Sequence, residues 1–228
     1  GPGGIAMGVQ LARAGYPFTI FDRGDGFGGT WRNNTYPGAA CDVPSHFYSF
    51  SFALNPYWSK TYANQPEILS YLEKVATDHG LDDHLVTGTR VTTLRWSDET
   101  RRWSVTTEFC VFREFDVIVT AVGMLDVPNI PDIPGAEGFR GRAFHSSNWD
   151  HSTSTAGERV ACIGTGASAV QYVPAIAAET THLTVFQRTA NFSVPAQNEP
   201  LSEETLAQVK ANYAERRALG REAVTGVF

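Results

Sequence analysis

Residues 159–188, RVACIGTGASAVQYVPAIAAETTHLTVFQR, constrain the fold more than any other stretch of this chain. A short apolar run, Val160 to Ile163, meets a glycine turn. A helical stretch from Ser168 to Ala178 follows, with Pro174 set to bend it, and Leu183 to Phe186 makes a second strand. Gly164, Gly166 and Ala169 take the places where a dinucleotide-binding turn needs small residues. There the backbone can approach a pyrophosphate seated on the helix N-terminus. At the tip of the second strand an acidic residue would accept hydrogen bonds from a free ribose hydroxyl, but here stand Gln187 and Arg188. A guanidinium attracts a 2'-phosphate and can grip it with two parallel bonds, so this unit predicts a preference for NADPH over NADH.

A second, partial copy of the pattern opens the chain: GPGGIAMGVQLARAGYPFTIFDRG. Gly1 and Gly4 serve as the second and third glycines of a similar turn, with Gly3 beside them. Ile5, Val9 and Ala12 line one side of the next helix, and Gly15 suits its C-terminal end. FTIF is a short buried strand that ends at Asp22. A carboxylate there, about twenty positions past the glycines, accepts from a ribose hydroxyl. The expected fold is therefore α/β, with two Rossmann-like dinucleotide-binding domains. Two such sites in one chain imply a flavin that exchanges electrons with a nicotinamide. The chain starts inside its first glycine turn, so the expectation is that a first strand lies upstream and that a targeting peptide stays open.

The material between the two patterns reads as part of the first domain. Gln65-Pro66 starts a helix whose buried stripe is Ile68, Leu69, Leu72, Val75 and Ala76, and Gly80 ends it. RVTTLRW and RWSVTTE read as consecutive antiparallel strands, a small β element within the flavin part. FDVIVTAVG, Phe115 to Gly123, reads as a fully buried strand. Pro128, Pro131 and Pro134 mark a linker. The predicted organisation is a FAD-binding domain over 1–127, a linker over 128–150 and a NADP-binding domain over 151–228. Ser202 to Arg221 reads as a helix capped by Ser202, with Glu203 and Glu204 in its first turn.

Bulk properties exclude other classes. With 42% apolar and 18% charged residues among 228, the chain is globular and not disordered. A net charge of -6 gives no electrostatic case for nucleic acid or an acidic membrane. No apolar run is long enough to span a bilayer, and a cytoplasmic setting is the default expectation. Cys41, Cys110 and Cys162 lie far apart, which suggests neither a disulfide framework nor a metal site. HGLDDH has metal-type residues without ligand geometry, so no metal is expected.

GGTWRNNTYPGAACD, residues 28–42, has neither helical period nor strand alternation. It resembles the flavin-side fingerprint of type I Baeyer–Villiger monooxygenases, [AG]GxWxxxx[FY]P[GM]xxxD. Gly28, Gly29, Trp31, Tyr36, Pro37, Gly38 and Asp42 fill every specified position. The second fingerprint of that family, FxGxxxHxxxW followed by Pro or Asp, is matched by Phe139, Gly141, His145, Trp149 and Asp150. YANQPEI and VFQRTANFSVP look like the subgroup that acts on cyclic and aryl ketones.

The resemblance implies an NADPH-dependent flavoprotein monooxygenase. NADPH reduces FAD, the flavin takes up O2 as a peroxyflavin, and a ketone becomes an ester or lactone. It implies that Gly29, Thr30, Trp31, Cys41 (through its backbone), Asp42, Tyr48 and Val91 contact FAD, and that Gln65 lies near the nicotinamide. Gly164, Thr165, Gly166, Ala167, Ser168, Gln171, Arg188 and Thr189 would hold NADP. Asp42 would orient an arginine supplied by a segment outside this sequence, where it meets the oxyanion developing on the carbonyl. Trp31, Tyr36 and Phe47 suit an apolar wall that keeps water out. His145, in a hinge segment of the family, is expected to couple domains and not to transfer protons. The resembled proteins are longer, and the isolated chain is expected to be inactive and to retain FAD poorly. A flavin monooxygenase acting on soft N or S atoms, or a remnant that only binds nucleotides, are the alternatives. A flavin-disulfide reductase is disfavoured by the missing CxxxxC.

Overall fold

The computed structural model describes residues 1–109 and 112–223. Cys110 therefore lies outside the described residues, as do the last five of the predicted second domain. The chain is a mixed α/β structure with two compact units, one formed by 1–32 with 69–127 and the other by 33–68 with 128–228.

In the first unit, helix α1 (Pro2–Arg13) begins with proline in its first turn and buries Ile5, Gly8 and Val9 on one face. Gly15 follows it with φ +73, a left-handed conformation that glycine adopts without strain. Strand β1 (Ile20–Phe21) pairs in parallel with β2 (Leu85–Val86). A β-carbon on Gly8 would stand 3.1 Å from Ile20 Cδ1 and 3.2 Å from Leu81 Cδ1, so the bare glycine lets α1 sit close on the sheet. Helix α2 (Thr30–Asn33) and helix α3 (Gln65–Asp78) are each crossed by the division between the units. α3 buries Ile68, Leu72, Val75 and Ala76, as its apolar spacing predicts, while Leu69 of the predicted stripe is half-buried.

Strands β3 (Val91–Ser97), β4 (Arg102–Thr107) and β5 (Phe112–Phe115) form an antiparallel sheet in the order β3-β4-β5. Its register pairs Trp96 with Trp103, whose rings lie 5.5 Å apart. One prediction fails next to it. Residues 117–123 form no strand, and Val117, Val119 and Val122 are 73%, 49% and 77% exposed. A buried parallel strand exists only through its ladder, and among the described residues no strand pairs with this run.

In the second unit, β6 (Arg159–Ile163) and β7 (His182–Phe186) are parallel, in register from Arg159↔His182 to Ile163↔Phe186. Between them runs α4 (Ala167–Ala177), which starts and ends one residue earlier than its periodicity predicts and holds Pro174 within it. Helix α5 (Glu203–Glu222) is capped as predicted: the Ser202 hydroxyl accepts from the Thr205 amide. It is kinked at Asn212, and it buries Val209 and Tyr213.

Residues 33–68, read from the sequence with the first part, cluster with the second unit. The ties are specific. Tyr213 Oη donates to the His46 carbonyl at 2.8 Å, and Asn198 bonds both the amide and the carbonyl of Tyr62, each at 2.9 Å. Lys60 bridges Pro200 in antiparallel fashion. Trp58, fully buried, fills the interior of this segment. No helix among the described residues is long and apolar enough to cross a membrane.

Candidate functional site

The first unit brings one group of predicted residues together at a glycine turn. Gly28 and Gly29 have φ +128 and +57. A β-carbon on Gly29 would lie 2.7 Å from Gly1 Cα, and one on Gly28 would lie 2.5 Å from Leu69 Cδ1, so neither place admits a side chain. β-Carbons on Gly3 and Gly4 would meet Ala121 Cβ at 3.6 and 3.9 Å, ordinary van der Waals distances. Asp22 follows β1 directly; its amide donates to the Val86 carbonyl and its own carbonyl accepts from the Thr89 amide. Its carboxylate accepts from the Gly24 amide at 2.9 Å and lies 3.6 Å from the Gly1 backbone nitrogen. The predicted ribose acceptor and the glycine turn thus stand side by side. A tight glycine turn beside a carboxylate acceptor at a strand tip fits an adenosine diphosphate moiety.

Arg32 holds the loop after this turn. Its guanidinium donates to the Phe27 carbonyl, to Asp25 and to Glu73 of α3. Sequence reading missed this residue, because the fingerprint leaves its position unspecified. Thr30 and Trp31 are half-buried at the start of α2, and Val91 is half-buried at the start of β3.

The second group lies in the other unit. Gly164, with φ +100, donates its amide to the Phe186 carbonyl at 2.9 Å, which ties the turn to β7. Among the described residues, chain neighbours aside, no heavy atom lies within 4 Å of where β-carbons on Gly164 or Gly166 would stand. Gly166 caps α4 without a side-chain bond, which leaves the first amides of Ala167 and Ser168 available to an anion. Thr165 is fastened to the strand tip: Gln187 donates to its hydroxyl, Asn191 donates to its carbonyl, and its own hydroxyl reaches the Thr189 carbonyl at 3.5 Å. Asn191 is another residue that sequence reading missed, since nothing in a linear pattern marks a side chain that returns to a turn 26 positions back. Arg188 is exposed and enters no ion pair among the described residues. This open turn, with a cation at the strand tip, fits a phosphorylated dinucleotide.

The remaining predicted residues fall within 33–68 and 145–171. Cys41 is buried, and burial pushes its thiol up to about 11, with the Asp42 charge adding to the effect. Asp42 itself is exposed and enters no ion pair among the described residues. Tyr48 is half-buried, and Gln65 is buried with its amide donating to the Ala39 carbonyl at 2.9 Å. Gln171, expected to hold NADP, directs its side-chain amide to Tyr36 and Ala40. His145 caps a single helical turn, its Nδ1 accepting from the Ser147 amide at 3.1 Å.

Trp149 and Asp150, from the second fingerprint, have structural partners. Trp149 packs on Phe144 and Tyr172 with ring centroids 5.2 and 5.5 Å away. Asp150 accepts from Ser152, Thr153 and Arg142, and the Ser152 hydroxyl above all holds its carboxyl well below the usual range. Burial pushes the Tyr172 hydroxyl up to about 12, with Cys162 beside it as a further cause. Among the described residues no group of three or more His, Cys, Asp or Glu could hold a metal ion.

The family described as pyridine nucleotide-disulphide oxidoreductase matches residues 1–227. The chain belongs to that family. Within it, the chain is 47% identical over 203 residues to a Baeyer-Villiger monooxygenase of Streptomyces coelicolor, covering 89% of this chain and 39% of that protein. Among solved structures, a cyclohexanone monooxygenase with ε-caprolactone bound superimposes with a TM-score of 0.94 at 40% identity, over 100% of this chain and 46% of the other. A protein named OTEMO, in complex with FAD and NADP, gives a TM-score of 0.94 at 32% identity over 100% of this chain and 44% of its own. The chain thus spans less than half the length of the relatives it matches. Two of its homologues, at 47% and 41% identity, carry the name Baeyer-Villiger monooxygenase, as the two fingerprints imply. Among the described residues Cys41 and Cys162 are free, and the sequence contains no CxxxxC.

Proposed function

We propose that the protein to which this chain belongs is a FAD- and NADPH-dependent monooxygenase. It inserts one atom of O2 next to a ketone carbonyl and gives an ester or lactone. In this reading residues 1–127 serve FAD, 128–150 connect, and 151–228 serve NADP. The observation that carries it is the difference between two equivalent strand tips. A carboxylate, Asp22, stands beside one glycine turn, and a guanidinium, Arg188, stands near the other. A carboxylate accepts from a free ribose and repels a 2'-phosphate; a guanidinium does the reverse. The likeness to Baeyer-Villiger monooxygenases supports the same assignment.

When bound, FAD supplies the redox chemistry that activates O2, and NADPH supplies the hydride. The chain contributes placement and electrostatics. Backbone amides at Ala167 and Ser168 meet a pyrophosphate, and Arg188 selects the phosphorylated ribose. Asp42, with its carboxylate exposed, holds a cationic side chain from elsewhere in the protein at the carbonyl oxygen where negative charge develops. His145 keeps a turn in place and moves no proton.

The test is product analysis. The complete protein, supplied with FAD, NADPH and O2, is given cyclohexanone in one reaction and an aryl alkyl thioether in another. Lactone formation with one NADPH oxidised per product supports the assignment. Sulfoxide without any lactone would move the protein to the heteroatom-oxygenating class.

A further inference from the structure

Ala40 pairs with Asn64 in an antiparallel bridge, in which Cys41 donates to the Ala63 carbonyl and Gln65 to the Ala39 carbonyl, both at 2.9 Å. Those bonds belong to the neighbours of Ala40. In an antiparallel pair of this kind the amide and carbonyl of the central residue point to the opposite edge, where a third strand would normally meet them. Among the described residues no third strand comes. The side chain of Gln171 takes its place: Nε2 donates to the Ala40 carbonyl at 2.9 Å, and Oε1 accepts from the Ala40 amide at 3.4 Å. Oε1 also accepts from the Tyr36 hydroxyl at 3.0 Å. One primary amide thus reproduces a peptide group and clasps both ends of the turn Tyr36–Ala40.

Gln171 lies on α4, four residues past Ala167 and so about one turn from the amides assigned to the dinucleotide phosphate. Cys41, assigned to the flavin through its backbone, and Asp42, the fingerprint residue assigned to the oxyanion, follow Ala40 in the chain. We infer that Gln171 is a positioning residue. It makes the placement of the Tyr36–Asp42 loop depend on α4, and its contribution to the reaction passes through that loop and not through a contact with NADP. This inference rests on the function proposed above. It differs from the sequence expectation, in which Gln171 holds the nucleotide.

The experiment compares Gln171→Leu, Gln171→Glu and Tyr36→Phe with the unaltered complete protein, by two measurements. Hydrogen exchange over residues 36–42 reads the clasp without any cofactor. Exchange in the Leu variant should accelerate tenfold or more at Ala40, with a smaller change in Tyr36→Phe. Steady-state kinetics then separate placement from binding. The kcat should fall tenfold or more in Gln171→Leu, while the KM for NADPH stays within threefold. Unchanged exchange at Ala40 would overturn the clasp. A tenfold rise in the KM for NADPH with kcat intact would overturn the positioning role and make Gln171 a nucleotide ligand. If the Leu variant fails to fold, the decision passes to Tyr36→Phe, which removes one hydrogen bond and leaves the backbone alone. An unaltered protein that takes up neither FAD nor NADPH would sink the proposed function, while the exchange comparison would still decide whether the clasp exists.

Discussion

Gly38 packs against the backbone of Gln171 so closely that a β-carbon on it would stand 2.7 Å from the Gln171 carbonyl oxygen. Its φ is +79, where an L side chain is strained as well. The fingerprint position that admits Gly or Met is therefore under two constraints in this chain, one of backbone angle and one of helix approach. Replacement by alanine should cost about 1–3 kcal/mol. Gly38→Ala is expected to lower Tm by about 2–10 °C in a thermal melt. A Tm equal to that of the unaltered protein would show that α4 does not approach the loop this closely.

Arg188 has no carboxylate neighbour to satisfy it among the described residues, so its charge is available to a ligand. A charge-assisted bidentate pair contributes about 1.5–3 kcal/mol. Arg188→Ala should therefore reduce the preference for NADPH over NADH by about 10- to 100-fold, mainly by weakening NADPH. The ratio of kcat/KM for the two nucleotides measures it. An unchanged ratio would remove Arg188 from the site.

His46 is only 8% exposed, and burial, helped by the Arg216 charge, lowers its pKa below the ordinary value. Tyr213 packs edge-on against its ring. The folded chain therefore takes up the imidazole proton at a lower pH than the unfolded chain, which is protonated near pH 6.5. Since the unfolded state binds more protons below that pH, stability is full above it and declines as pH falls through it. Melting between pH 5 and 7.5 should show this slope, and His46→Gln should flatten it. Equal slopes in the two proteins would mean that the proton is taken up elsewhere.

Cys41 accepts from the Val43 amide at 3.3 Å, yet burial dominates and its thiol is pushed up to about 11. At pH 8 its thiolate population is about a hundredfold or more below that of a free cysteine. Iodoacetamide followed by peptide mapping should leave Cys41 unmodified in the native protein and modified in urea. Rapid native labelling would contradict the enclosed position described above.

Much of the molecule could be read from local spacing. The helix capped by Ser202, the turn at Gly164 and Gly166, and the paired strands β3 and β4 each depend on residues within a few positions of one another. Steric freedom at glycine, a hydroxyl at a helix start and alternation along a strand act over that range, so the linear order of residues states them directly. The Asp22 and Arg188 strand tips belong to the same class.

What tertiary structure alone decided lies at long range. The amide that completes the edge of Ala40 comes from Gln171, 131 positions on, and Tyr62 is bonded by Asn198, 136 positions on. Those partners place residues 33–68 with the second unit, although the same residues follow the first strand without a break in pattern. Residues 117–123 show the converse: an apolar run reads as a buried strand, yet it is exposed where no neighbour supplies a ladder. A residue's own chemistry sets what it can bond or bury, but backbone groups and apolar faces are satisfied only by whatever the folded chain brings against them.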